Sequence, residues 1–200
     1  MGGGNFAWGE TSTLTFTSEC NGSGTADDGV KWTVTSDGNE SKYDSTKGIH
    51  YGTNSASVQY IQLSTSDISG TITKVVVNAS TASGVSATAS VTVGGSAFGG
   101  DAQSISATAT DYTFSGSATG EIVVKVAKPS SATKAIYVKK VVVTYESTPS
   151  FTLTATSNNN SYGTVSVDGS TITATPADGY RVSTSTPYTV TTGTPTLTQN

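Results

Sequence analysis

Apolar and polar residues alternate one by one along most of this chain, in short stretches broken by Gly, Asn and Asp. Leu14 and Phe16 alternate with Thr13, Thr15 and Thr17. Val30, Trp32 and Val34 alternate with Lys31, Thr33 and Thr35. Ala87, Ala89, Val91 and Val93 alternate with Thr88, Ser90 and Thr92, and Ile122, Val124 and Val126 turn away from Glu121 and Lys125. A period of two is the signature of a strand, because successive side chains point to opposite faces. One hidden face and one wet face is the antiparallel pattern. The breaks fit as well. Asn21-Gly22, Asp28-Gly29, Asp37-Gly38, Gly94-Gly95 and Asp168-Gly169 offer the positive φ that tight turns need. Strand and turn signals recur at roughly 8–12 residues, the spacing of a sandwich or barrel. The only place for a helical turn is 64–69, with Ser66 as its cap.

Two stretches are denser. Ile72 to Val77 and Ile136 to Tyr145 carry apolar residues at both parities, which predicts central strands covered on both sides. Trp32 is in phase with Val30 and Val34, so it is expected in the core. Phe98, in the Gly-rich loop 94–100, is either a further ring for a sugar to stack on or a plug for one end of the fold, and the plug is the favoured reading.

The composition shifts at Glu146-Ser147-Thr148-Pro149-Ser150, where a linker is predicted. It separates a sandwich domain at 10–146 from a small β unit at 151–200. In the second unit, strands are expected at 151–156, 163–167, 171–175 and 188–192. Fifty residues of β-structure make a marginal core, and the unit is expected to be incomplete or one of a series.

Composition also excludes function classes. Charged residues are 12% of the chain, and the net charge is −4 with no Lys/Arg block longer than Lys139-Lys140. That leaves no electrostatic footprint for nucleic acid. No apolar run reaches the length of a membrane helix, about 20 residues. Cys20 is the sole cysteine, so no intrachain disulfide can form and a free thiol is expected. A third of the residues are Ser or Thr. Hydroxyls rather than charges must then keep the surface wet, which suits an extracellular or cell-surface β-protein. Residues 1–4 lack the apolar core of a signal peptide, so export would have used a leader outside this chain.

The 10–146 region resembles the jelly-roll, galactose-binding-like modules of surface and secreted proteins from gut Bacteroidota. The resemblance rests on the Thr-rich strand Thr11 to Thr17, the strand Lys31-Trp32-Thr33-Val34, the segment Lys47-Gly48-Ile49-His50-Tyr51-Gly52, and the closing strand Ala135 to Tyr145. The second unit is similar to short β-repeats that follow such domains in bacterial surface proteins. Tyr162-Gly163-Thr164-Val165-Ser166-Val167 and Ile172 to Tyr180 carry that likeness, although Arg181-Val182-Ser183 stands where many such repeats place an aromatic. The resemblance implies an all-β, antiparallel jelly-roll sandwich plus a small C-terminal β-repeat unit. It also implies a structural calcium near the first loop.

Few residues can carry chemistry. A nucleophile needs a base beside it, and Cys20 with His50 is the one candidate pair. Paired carboxylates could be drawn from Asp27, Asp28, Asp44, Asp101 and Glu121, but Asp in a turn ordinarily bonds its own backbone. No enzyme is expected. Glu19, Asp27 and Asp28 share one oxygen-rich loop and are the candidate calcium ligands. For a glycan, Tyr43, His50 and Tyr51 are the candidate ligand-binding residues. They lie in the most chemically varied stretch of the chain, with Asp44, Lys47 and Asn54 close by in sequence. The expected function is a non-catalytic glycan- or surface-ligand-binding module of a secreted or cell-surface bacterial protein. The alternative is a purely structural spacer in a surface stalk, fibre or phage particle. The oligomeric state is not encoded in any pattern found.

Overall fold

The computed structural model describes residues 8–38, 41–129, 133–147, 155–157, 159–168 and 171–181. The chain divides into two compact units. The larger is Ala7–Thr148, and the smaller takes in the described stretches between 155 and 181.

The larger unit is all-β and antiparallel, as the alternation predicts, and its strands form two sheets packed as a sandwich. In the first sheet, β11 (Thr110–Ala118), β7 (Thr71–Thr81), β13 (Ile136–Ser147), β5 (Gly48–Tyr51) and β4 (Lys42–Asp44) lie side by side, and β1 (Trp8–Thr15) also pairs with β13. In the second, the order is β10 (Gln103–Ile105), β8 (Ala87–Val93), β12 (Ile122–Ala127), β6 (Tyr60–Thr65), β3 (Lys31–Ser36) and β2 (Ser23–Thr25), with β9 (Ser96–Ala97) on β8. From β6 onward the chain passes repeatedly from one sheet to the other, in the jelly-roll manner. Between the sheets lies one continuous core. Leu14, Ile49, Ile72 and Val141 enter it from the first sheet, and Trp32, Leu63, Val91 and Val124 from the second. Burying a side chain of this size contributes roughly 1.5–3 kcal/mol relative to leaving it in water.

β13 organises the first sheet because it pairs with two strands along one edge. Ile136, Tyr137 and Val138 face Tyr51, His50 and Ile49 of β5, and Lys140 to Ser147 face Thr15 to Trp8 of β1. The switch falls at Lys139, where the ladder to β7 also skips a residue. Phe16 closes the gap by donating its N–H to the Lys139 carbonyl at 3.0 Å.

β7 and β13 are central, as expected, but they are covered on one face only. Val76 and Val142 stand opposite one another on the outer face and are half-buried, and Lys74 is exposed. The apolar outer residues shield each other across the ladder rather than meeting a second layer. No helix forms at 64–69: Thr65 ends β6, and its Oγ1 accepts the Asp67 N–H at 3.2 Å instead. Phe98 is 3% exposed and its ring lies against Gly116, where a Cβ would come within 2.8 Å of it.

The smaller unit is described as one hairpin, β14 (Gly163–Asp168) on β15 (Thr171–Pro176), from Gly163 opposite Pro176 to Asp168 opposite Thr171. The strand expected at 188–192, residues 148–150 of the expected linker and residues 151–154 of the strand expected at 151–156 lie outside the described residues; Glu146 and Ser147 belong to β13, and 155–157 is not strand. No helix among the described residues is long and apolar enough to cross a membrane.

Candidate functional site

The segment singled out in the sequence forms the β4–β5 hairpin. Its turn is made by Asp44, whose Oδ1 accepts the Thr46 N–H at 2.8 Å, the Thr46 hydroxyl at 2.6 Å and the Lys47 N–H at 2.9 Å. Those hydrogen bonds, the Thr46 hydroxyl first, hold the Asp44 carboxyl below its ordinary pKa. Gly48 follows with φ +87°, and a Cβ there would collide with the Val138 carbonyl and the Lys139 backbone. Only Gly lets β5 approach β13 this closely.

Strand alternation then separates the three candidate ligand residues. Ile49 and Tyr51 point into the core, and His50 points out. Tyr43 stands opposite Ile49, on the core side of β4, and is half-buried. Tyr51 is 7% exposed, so the expectation that it stacks on a ligand is corrected: it belongs to the core. Its hydroxyl lies 3.6 Å from Cys20 Sγ, and burial, followed by the thiol contact, pushes it up to about 12. Cys20 is buried beside Tyr51 on the core side of β5, while His50 faces the other way, so the fold does not assemble a Cys20–His50 pair.

The three carboxylates named for calcium each take protein partners. Glu19 pairs with Lys42 at 3.7 Å. Asp27 Oδ1 accepts the Thr13 N–H at 2.9 Å. Asp28 Oδ1 accepts the Ser12 hydroxyl at 2.9 Å and the Val30 N–H at 3.2 Å. Asp27 and Asp28 tie the loop to β1 and to itself, while Glu19 turns to Lys42 of β4. Among the described residues no three His, Cys, Asp or Glu side chains form a metal-holding group.

What the fold assembles around His50 is a row across four strands on the outer face of the first sheet. Lys42 of β4 stands opposite His50 of β5, His50 opposite Tyr137 of β13, and Tyr137 opposite Ser80 of β7. The His50 and Tyr137 rings lie 4.8 Å apart, tilted at 43°. The Lys47 ammonium sits 4.8 Å from the centre of the Tyr137 ring, a cation–π arrangement, and donates to the Thr81 carbonyl at 3.3 Å and the Ala107 carbonyl at 3.1 Å. Two buried polar atoms in the row have no hydrogen-bond partner, His50 Nδ1 and Ser80 Oγ. Such atoms ordinarily find one.

Burial lowers the His50 pKa and the Lys42 charge adds to it; a hydrogen bond with the Gly52 backbone and the Asp44 and Glu19 charges pull the other way, and the net shift is downward. The ring is therefore neutral at pH 7, with one nitrogen a donor and the other an acceptor. Burial, then the Asp44 charge, raises the Tyr137 hydroxyl. Sequence reasoning missed Tyr137, although its position between Ile136 and Val138 signals an outward side chain once β13 is known to have one wet face.

A shallow groove of about 420 Å³ lies at the second sheet, lined by Lys31, Trp32, Asp67 and Glu121 among others. It shares no residue with this row. Trp32 is 2% exposed, as its phase predicts.

No protein-family model matches the chain, and no curated protein does. Among solved structures, the chain is similar to a family two carbohydrate esterase from Cellvibrio japonicus, with 12% sequence identity and a TM-score of 0.37. The match covers 73% of this chain and 37% of the esterase chain, so the chain spans little more than a third of that protein's length. A likeness of this strength says nothing of activity.

Proposed function

We propose that this chain is a non-catalytic recognition module of a secreted or cell-surface bacterial protein, and that it binds a glycan on the outer face of the β4–β5–β13 region. The observation that carries the reading is the pair of buried, unpartnered polar atoms, His50 Nδ1 and Ser80 Oγ, on either side of Tyr137. A neutral imidazole and a serine hydroxyl can each donate or accept. A sugar hydroxyl does both, so it matches either atom. Tyr137 supplies an aromatic surface between them, and Lys47 is the movable member. Its ammonium lies over Tyr137 on partly solvated carbonyl bonds, and a sugar taking its place would reach Nδ1 and Oγ. Non-catalytic action is supported by the thiol and the imidazole lying on opposite faces of β5.

The spacer reading has its own support, because Tyr51 and Phe98, two of the aromatics outside the long strands, pack into the core. A glycan array on the whole chain, with and without calcium, separates the two. Saturable binding that is lost in His50→Ala/Tyr137→Leu at unchanged melting temperature supports recognition at this row. If every glycan retained by the intact chain is still retained after the double substitution, the site is overturned, and a blank array with the intact chain favours the spacer.

A further inference from the structure

The smaller unit carries a feature that the row on the larger unit does not explain. Tyr162 and Tyr180 are 52% and 53% exposed, and their rings stack on each other at 4.9 Å with 30° between planes. They flank the open end of the β14–β15 hairpin, where Gly163 faces Pro176. Three backbone hydrogen bonds fix them there. The Tyr162 N–H donates to the Asn159 carbonyl at 3.1 Å, the Ala177 N–H to the Tyr162 carbonyl at 3.1 Å, and the Tyr180 N–H to the Ala177 carbonyl at 3.0 Å.

We infer that this Tyr162–Tyr180 stack is a second, independent carbohydrate-binding platform, and that it takes the flat face of a β-linked, all-equatorial pyranose chain. The chemistry selects that ligand by elimination and by fit. A protein partner needs an interface of at least about 1,000 Å². Among the described residues, the large exposed apolar side chains are these two rings and Val167. A phosphate-bearing ligand needs cations, but the charged residues described in this unit are Asp168, Asp178 and Arg181, a net of minus one from two acids and one base. What remains is a small apolar surface rimmed by hydroxyls and amides, with Asn160, Ser161, Thr164 and Thr175 all exposed. An all-equatorial pyranose mirrors it, with axial C–H bonds on the ring face and hydroxyls around the edge. The stack also lowers the cost of binding. Each Tyr has only two side-chain torsions to fix, and its neighbour already restrains them, so little rotamer freedom is left to lose.

The test uses the intact chain with cellohexaose and xylohexaose as probes. Saturation-transfer NMR with irradiation of the aromatic protons is expected to label the axial ring protons of the sugar. In titration calorimetry, Tyr162→Leu/Tyr180→Leu is expected to weaken binding by about tenfold or more, and Tyr162→Phe/Tyr180→Phe to stay within about threefold of the intact chain. Lys74→Ala, an exposed position on the larger unit outside the His50–Tyr137 row, is expected to bind these probes as the intact chain does. The inference is overturned if neither oligosaccharide receives saturation, if the Leu pair binds as well as the intact chain, or if the loss follows the His50/Tyr137 substitutions instead. That last result would leave the proposal for the larger unit standing.

Discussion

His50 and Tyr137 face each other across the β5–β13 ladder, with ring centres 4.8 Å apart, while Ile49 and Tyr51 on either side of His50 are buried in the core. The lone imidazole of the chain is thus held by sheet register on the outer face, and its protonation reports on the candidate site.

The pH behaviour follows from that placement. Burial is the largest influence on His50 and lowers its pKa below the ordinary 6.5. The folded state therefore binds a proton less readily than the unfolded chain. His50 contributes stability that is fully present above the unfolded pKa and is lost as pH falls through 6.5 toward the folded value. An NMR titration of this single histidine is expected to give a midpoint below 6.5. A midpoint at or above that value contradicts the burial assigned to the ring.

Tyr51 is expected to behave as a core residue and not as a binding residue. Tyr51→Ala removes a buried aromatic and should cost about 3–5 kcal/mol. Tyr51→Phe removes the hydroxyl's contacts with Cys20 Sγ, at 3.6 Å, and with the Ser41 side chain, and should cost about 1 kcal/mol. Chemical denaturation measures both. A Tyr51→Ala protein within about 0.5 kcal/mol of the parent would return Tyr51 to the surface.

Much of this fold is legible in the residues, and the reason is physical. One-face burial imposes a period of two. The alternation of Val30, Trp32 and Val34 therefore placed Trp32 in the core directly, and a loop Phe such as Phe98 had nowhere better to go than inward. The candidate site was harder to read. Tyr43, His50 and Tyr51 are neighbours in sequence, and grouping them by segment overlooked that alternation divides them between faces, even though Ile49-His50-Tyr51 already shows it. Tyr137 was hidden for a different reason. Its partners His50 and Ser80 are set by non-local ladder register, which no local pattern encodes. The loop carboxylates Asp27 and Asp28 look the same in sequence whether they hold a cation or their own backbone; only the positions of Thr13, Ser12 and Val30 decide.

Asp28 gives the third prediction. Ser12 is 1% exposed and donates its hydroxyl to Asp28 Oδ1. Asp28→Ala leaves that hydroxyl without this acceptor, at a cost of about 1–3 kcal/mol. Because the loop carboxylates are engaged with protein donors, adding calcium or a chelator is expected to leave the melting temperature of the intact chain unchanged. A calcium-dependent rise of several degrees would restore the cation reading for Glu19, Asp27 and Asp28.

Two glycines with the same backbone hand separate conformational strain from crowding. Gly29 has φ +92° and open space where a Cβ would stand, whereas Gly48 has φ +87° and the Val138 carbonyl and Lys139 backbone there. Gly29→Ala should cost only the left-handed penalty, about 1–2 kcal/mol. Gly48→Ala should cost that and more, because the obstacle is backbone in the central strand of its sheet and cannot swing aside like a side chain. The β4–β5 hairpin must then lift from β13, parting His50 from Tyr137. Denaturant unfolding of the two variants, read with the NOE between the two rings, checks both halves. Equal destabilisation by the two substitutions, or an undisturbed His50–Tyr137 contact in Gly48→Ala, would show that the approach of β5 to β13 is not what this glycine permits.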